Sequence, residues 1–131
     1  MIEQTRSLKT LIFIPTFNDM TLLPAIIEEV LALDDNYVAL VIDDGSSPRL
    51  DASALPKGCL LFSVPTNMGL GMCTHIALDH ALKYGYRALL RIDSDGQHPT
   101  AMIPELMLPI YGDHADIVVG TRENHGDGSG I

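Results

Sequence analysis

With 131 residues, of which 47% are apolar, the chain is expected to form one domain with a hydrophobic core. Its formal charge of −9 argues against a nucleic-acid partner, because contacts with phosphates require clustered Lys and Arg side chains. No apolar run approaches the ~20 residues of a membrane-spanning helix, and the first residues lack the apolar segment of a secretory signal, so a cytoplasmic protein is expected.

The first half of the chain combines apolar, strand-like runs with one segment of helical period. The strands are predicted at residues 10–17, 37–44 and 59–65, and the helix at residues 21–33. Thr21 is the expected N-cap of that helix, since a threonine hydroxyl can accept a hydrogen bond from the first helical turn. Glu28 and Glu29 lie opposite the apolar stripe of the helix and should face solvent.

In the second half, a helix follows residues 67–71 and should end at Gly85, which suits a left-handed C-terminal cap. Its expected inward face consists of Leu70, Thr74, Ala77, Leu78, Ala81 and Leu82. The remaining predicted elements are strands at residues 87–93 and 115–122 and a helical segment at residues 99–112. Pro104 and Pro109 interrupt the helical segment, so a bend or stop is expected near Pro109.

Apolar strands joined by helices indicate an α/β fold, a three-layer sandwich in which helices cover both faces of a mostly parallel sheet. Ligands of such sheets bind beyond the carboxyl ends of the strands. The polar clusters PTFND, DDGSS, DSDGQH and GTR each follow a predicted strand directly. We therefore expect them to form one shared site at this edge of the sheet.

Asp93 and Asp95 are separated by one small residue at the end of the fourth strand, so a turning backbone can direct both carboxylates at one ion. With the amide oxygen of Gln97 they provide three hard oxygen donors, which suit Mg²⁺ or Mn²⁺. An Asp-rich turn with local hydrogen bonds is the structural alternative for this pattern. His98 is expected to be a hydrogen-bonding loop residue, because imidazole suits softer ions.

The other strand ends offer contacts for a nucleotide, and each has a structural alternative. Of Asp43 and Asp44, one is expected to cap the Gly-Ser-Ser turn and the other to accept hydrogen bonds from a uracil or guanine ring, unless both only shape an Asp-Gly turn. Gly69 and Gly71 either let the backbone approach a phosphate or form an ordinary strand-to-helix turn. Arg122 ends the fifth strand, where it binds an anionic group or forms a surface ion pair.

The motifs IPTFND, VIDDGSS, NMGLG, RIDSDGQHP and ADIVVGTR occur in the order and approximate spacing of family 2 nucleotide-sugar glycosyltransferases. Nearly the whole chain is covered, and it most resembles the dolichyl- or polyprenyl-phosphate sugar synthases of that family. The resemblance implies a Rossmann-like GT-A fold and one domain over residues 1–131, the N-terminal donor-binding portion. It also implies inverting transfer from a UDP- or GDP-sugar, bound with a divalent metal, to an acceptor such as polyprenyl phosphate.

The resemblance also implies roles for individual residues. Nucleotide contacts are implied for Pro15, Thr16, Phe17, Asp19, Asp43 or Asp44, Gly69, Gly71 and Ser94. Asp93, Asp95 and Gln97 would hold the metal on the diphosphate, and Arg122 would lie near the acceptor phosphate. The sequence departs from the family pattern at Asp19, where Glu is usual, and at Cys73, where Ala is usual.

Catalytic domains of this family continue well beyond the length of this chain, with the acceptor pocket and, in many members, the catalytic base. The 131 residues are therefore expected to bind the donor without turnover and to self-associate as a homodimer through uncovered apolar surface. A longer form would work at the inner face of a membrane. The expected strand order is 3-2-1-4, with the fifth strand beyond the fourth. A non-catalytic nucleotide-binding fragment is the alternative function.

Overall fold

The computed structural model describes residues 8–96 and 99–113. The chain divides into two compact units, Met1–Thr100 and Ala101–Ile131. The described part of the first unit contains the sheet and two α-helices, and that of the second contains one α-helix. None of the helices in the described ranges has the length and apolar character needed to span a bilayer.

In the described part of the first unit, four parallel strands form one sheet in the order β3-β2-β1-β4. The strands are β1 (Thr10–Thr16), β2 (Tyr37–Asp44), β3 (Leu60–Val64) and β4 (Ala88–Arg91). Thr10 pairs with Tyr37 on one side and with Ala88 on the other, so β1 lies between β2 and β4. The predicted order 3-2-1-4 is confirmed, and the predicted fifth strand lies outside the described residues.

The helices α1 (Leu23–Leu33) and α2 (Leu70–Lys83) connect β1 to β2 and β3 to β4. These two crossovers run in opposite directions along the sheet, so right-handed connections place the helices on opposite faces. The face under α2 carries Leu11, Phe13, Leu40 and Ile42, which form a buried cluster with residues of the helix. The alternate residues of the strands, such as Ile12 and Val41, are also fully buried.

The start of α1 differs from the prediction. Leu22 is the N-cap and makes no side-chain cap hydrogen bond, and Pro24 stands in the first turn. The backbone N–H of Thr21 instead donates to Asp19 Oδ1 over 3.3 Å. The prediction of Thr21 as N-cap is wrong because proline favours the first helical turn and because Asp19 binds the backbone ahead of it. Glu28 and Glu29 are exposed, as predicted.

The end of α2 has the predicted glycine cap. Gly85 has φ +70°, a conformation that glycine adopts without a steric penalty. The Tyr86 N–H donates to the Ala81 carbonyl at 2.9 Å and the Gly85 N–H to the Leu82 carbonyl at 3.4 Å. This pair of bonds is the Schellman motif, which turns the chain from α2 into β4.

The buried face of α2 is not the one expected from its leucines. Its buried residues are Cys73, Ala77 and Ala81, whereas Leu70, Leu78 and Leu82 are 46%, 44% and 73% exposed. Small side chains at intervals of four residues let the helix axis approach the sheet closely, so they form the contact and the leucines lie on the flank. Ala77 and Ala81 were predicted correctly, and the four larger residues of the predicted face, Thr74 included, were not.

The second unit begins within a 3₁₀ turn at Thr100–Met102, which leads into α3 (Ile103–Tyr111). Pro104 does not interrupt this helix, because it stands in the first turn, where a missing N–H costs no intrahelical bond. Pro109 lies inside the helix, which continues to Tyr111. The helix ends two residues after Pro109, which agrees with the stop predicted near that residue.

Candidate functional site

The carboxyl ends of β2, β1 and β4 lie side by side, and the direction of the connections reverses between β1 and β4. A crevice at such a switch point is the usual ligand site of an open parallel sheet. Residues 17–22 and 92–96 border it. A Cβ at Gly96, whose φ is +78°, would lie only 2.9 Å from Leu22 Cδ1, so these two segments approach each other closely.

Asp43 holds the turn that follows β2. Its side chain is 1% exposed, and Oδ1 accepts the Ser46 N–H at 3.0 Å while Oδ2 accepts the Leu50 N–H at 2.8 Å. A carboxylate offers about four lone-pair sites, so Asp43 has acceptor capacity beyond these two bonds. Asp43 is thus the member of the acidic pair that caps the Gly-Ser-Ser turn.

Asp44 binds a different segment, because neighbouring residues of a strand point to opposite faces. Its Oδ1 accepts the Met68 N–H at 2.7 Å, and its Oδ2 accepts the Gly69 N–H at 3.0 Å and the Asn67 side-chain amide at 3.2 Å. Burial, and secondly the charge of Asp44, raise the pKa of the Cys73 thiol on α2 to about 11. Asp44 therefore fastens the start of α2 to the end of β2.

Gly45 brings these two segments into direct backbone contact. Its φ is +81°, and a Cβ at this position would overlap the backbone of Thr66 and Asn67. Gly69, the N-cap of α2, has φ +93°, and a Cβ there would meet no other atom. A Cβ at Gly71 would also lie in open space. Gly45 is therefore required for close packing, whereas Gly69 is required for its backbone conformation.

The segment after β1 contains several of the predicted nucleotide-binding residues. Pro15 and Thr16 end the strand, Thr16 is buried, and its hydroxyl donates to the Asp19 carbonyl at 2.7 Å. Phe17 is 48% exposed, so part of its flat apolar ring is accessible just after β1. Asp19 accepts the Thr21 N–H and is thereby oriented within the same segment.

The segment after β4 carries the predicted metal ligands. Asp93 is partly exposed, and its Oδ1 lies 3.8 Å from Arg91 Nε. Ser94 is 9% exposed, whereas Asp95 is exposed. Within the described ranges there is no group of three or more His, Cys, Asp or Glu side chains that could hold a metal ion. The two carboxylates are hard donors of the type that Mg²⁺ and Mn²⁺ require, so they fit such an ion if further oxygens come from elsewhere. Gln97, His98 and Arg122 lie outside the described residues.

Three polar loop residues for which no role was predicted also contribute to this edge of the sheet. Asn18, Ser46 and Asn67 each make a hydrogen bond between two different strand-end segments. The sequence does indicate these residues in one respect, because each is a polar residue in a short motif that directly follows a strand. The partner of each, however, lies more than twenty positions away and is defined only by the folded sheet.

Comparison with known proteins agrees with this geometry. The model of "Glycosyl transferase family 2" matches residues 11–131. Polyprenol monophosphomannose synthase of Mycolicibacterium smegmatis is 31% identical over 87% of this chain and 45% of its own length. Undecaprenyl-phosphate mannosyltransferase of Micrococcus luteus is 28% identical over 88% of this chain and 49% of its own.

A third relative, undecaprenyl-phosphate 4-deoxy-4-formamido-L-arabinose transferase of Aeromonas hydrophila, is 32% identical over 88% of this chain and 37% of its own length. The chain thus spans about half the length, or less, of these relatives. The parallel sheet between helices is the α/β arrangement of the Rossmann-like GT-A fold. With a family match over residues 11–131, the chain belongs to glycosyl transferase family 2.

Proposed function

We propose that this chain is the N-terminal, donor-binding portion of a glycosyltransferase domain that transfers a sugar, with inversion, from a UDP- or GDP-sugar to a polyprenyl phosphate. The observation that carries the proposal is the convergence of three acidic strand-end segments at the switch point of a family 2 sheet. The names of the relatives support the acceptor, since each describes a sugar joined to a polyprenol or undecaprenyl phosphate.

The nucleotide is assigned to the segments after β1 and β2. The exposed ring of Phe17 suits stacking against a base. Asp43 is 1% exposed, so it would contribute to the nucleotide site mainly by holding the turn after β2. Asp44 already accepts three N–H groups, so its contribution to the nucleotide site would come mainly through the segment that it holds. Gly69 and Ser94 would provide backbone or hydroxyl contacts.

The diphosphate is assigned to the segment after β4, together with Mg²⁺ or Mn²⁺. Asp93 and Asp95, with Gln97, would hold the ion. When bound, such an ion neutralises the charge that develops on the departing nucleoside diphosphate. Arg122 is assigned to the acceptor phosphate, and the catalytic base is not assigned to any residue of this chain.

Calorimetric titration of UDP and GDP, with and without Mn²⁺, tests the metal assignment. Asp95→Asn should abolish the gain in affinity that Mn²⁺ provides, because it removes a charge from the ion. Asp19→Asn should lower affinity equally with and without Mn²⁺, because it alters the nucleotide segment. Binding that is independent of metal in the unaltered chain, or equal losses in the two variants, would remove Asp95 from the metal role.

Incubation of the 131 residues, and of any longer natural form, with labelled nucleotide sugars, Mn²⁺ and polyprenyl phosphate separates the proposed enzyme from its alternative. No lipid-linked product is expected from the 131 residues alone. Nucleotide binding at roughly tens of micromolar, about −6 kcal/mol, is expected. Lipid-linked product would assign turnover to these residues. Binding without product, in this chain and also in any longer natural form, would favour a non-catalytic nucleotide-binding protein. Light scattering on the same purified chain measures its molar mass and thereby tests the expected homodimer.

A further inference from the structure

Asn18 connects the segment after β1 to the turn after β2. Its backbone N–H donates to Ser46 Oγ at 2.9 Å, and its side-chain Oδ1 accepts the Ser47 N–H at 2.8 Å. We call these two bonds the Asn18 clasp. Asn18 has φ +52°, a left-handed conformation that asparagine tolerates better than most residues, so the backbone is shaped to make both bonds at once.

The turn that receives the clasp is itself held from two directions. Asp43 accepts the Ser46 and Leu50 N–H groups, and Gly45 packs against the backbone of the segment before α2. The turn is therefore held in one position relative to the end of β2. A segment that is hydrogen-bonded to the turn is positioned relative to β2 as well.

The segment on the other side of the clasp has mainly local bonds. The Thr16 hydroxyl binds the Asp19 carbonyl, and Asp19 binds the Thr21 N–H, so these contacts shape the segment without tying it to β2. Phe17 and Asp19, the two residues on either side of Asn18, are candidate nucleotide contacts. The clasp is thus placed where it can set the distance between these contacts and those at the end of β2.

We propose that Asn18 is a positioning residue, which holds Phe17 and Asp19 in register with the turn after β2 so that a nucleoside diphosphate meets a preformed site. The inference rests on the proposed nucleotide-binding function. Preorganisation of this kind raises affinity because the ligand does not have to order the segment on binding. Both bonds of the clasp involve exposed residues, so they contribute little to global stability, and their effect should appear in affinity.

The test uses variants that separate the side-chain bond from the backbone conformation. Asn18→Gly permits the left-handed conformation and keeps the N–H donor but removes Oδ1. Asn18→Asp keeps an acceptor oxygen at the same place, and high ionic strength screens its added charge. Ser46→Ala removes the other bond of the clasp. Asn36→Gly serves as a control for adding a glycine to an exposed loop at the opposite edge of the sheet.

The measurements are the dissociation constants of UDP and GDP with Mn²⁺, the midpoint of thermal unfolding, and hydrogen exchange of the Ser47 amide. Asn18→Gly and Ser46→Ala should weaken nucleotide binding by about 3- to 10-fold, in keeping with the loss of one ordinary hydrogen bond. Asn18→Gly should also speed exchange at Ser47. The unfolding midpoint should stay close to that of the unaltered chain, and Asn18→Asp should restore both affinity and protection.

The outcomes distinguish the inference from the function on which it rests. Unchanged affinity in Asn18→Gly, with faster exchange at Ser47, would show that the clasp exists but does not position the site. Affinity lost only in proportion to a large drop in the unfolding midpoint would make Asn18 a structural residue and would also overturn the inference. An unaltered chain that binds neither nucleotide would overturn the proposed function itself.

Discussion

Replacement of Asp44 by Asn tests how strongly the end of β2 holds the start of α2. The side chain is 6% exposed and accepts three N–H groups, from Met68, Gly69 and the Asn67 amide. An asparagine has one acceptor oxygen and one NH₂ group in the same space. If the oxygen stays on Met68, the NH₂ group faces two donors. Asn67 can turn its amide to accept, but the backbone N–H of Gly69 cannot.

The expected cost follows from that arrangement. A hydrogen bond to a charged group contributes about 1.5–3 kcal/mol, and a buried donor left without a partner costs about 1–3 kcal/mol. Asp44→Asn removes the charge from all three bonds and leaves one donor unpaired, so we expect a loss of about 2–4 kcal/mol. Domains of this kind have about 5–15 kcal/mol of unfolding free energy, so the change should be plain.

Urea unfolding followed by circular dichroism measures the loss. Asp79→Asn on α2 is the matched control, because Asp79 lies 3.3 Å from His75 with its side chain 67% exposed, and exposed pairs contribute at most ~1 kcal/mol. An Asp44→Asn variant whose unfolding free energy lies within ~0.5 kcal/mol of the unaltered chain would refute the reasoning. It would show that the three bonds to Asp44 are replaced by water at no cost.

Three further predictions concern the fold. Gly45→Ala should destabilise the chain far more than Gly58→Ala in urea unfolding. Both glycines have positive φ, in which an alanine costs about 1–2 kcal/mol, but only a Cβ at Gly45 would overlap neighbouring backbone, so equal losses of unfolding free energy would contradict this. Ile27→Ala, at 0% exposed, should cost about 2–5 kcal/mol, and Leu82→Ala, at 73%, less than ~0.5 kcal/mol in the same assay. Because the pKa of the Cys73 thiol is raised from 9.0 to about 11, the unfolding free energy should be unaffected by this group below pH 9.0 and should fall as pH rises through about 11. Urea unfolding at alkaline pH should show a smaller fall in Cys73→Ala, and an equal fall in both chains would contradict the assignment.

Much of the fold follows from the sequence because strands and helices differ in hydrophobic period. The predicted strand at residues 37–44 matches β2 to the residue, and the glycine cap after α2 lies at Gly85 as predicted. The buried face of α2 was not predictable in this way. A count of apolar residues favours leucine, whereas the sheet accepts the small side chains of Ala77 and Ala81 and excludes Leu82.

The site was predictable as a set of segments but not as a set of contacts. The sequence indicates that acidic residues follow β2, yet it does not distinguish Asp43 from Asp44, because their partners come from different later segments. Asp43 binds Leu50, seven positions away, and Asp44 binds Gly69, twenty-five positions away. Only the path of the chain around the sheet decides which carboxylate meets which segment.

The position of β1 between β2 and β4 has a consequence for the order of folding during synthesis. Thr10 pairs with Tyr37 and with Ala88, so one edge of β1 gains its partner long before the other. At roughly 5–20 residues per second, the ribosome takes several seconds between completing β2 and completing β4. Throughout that interval the backbone groups on the β4 side of β1, such as the Phe13 carbonyl that later accepts the Ile92 N–H, form an open strand edge, which is prone to pairing with a neighbouring chain. Slower translation between residues 45 and 87 would lengthen this exposure, although it would leave the finished fold unchanged.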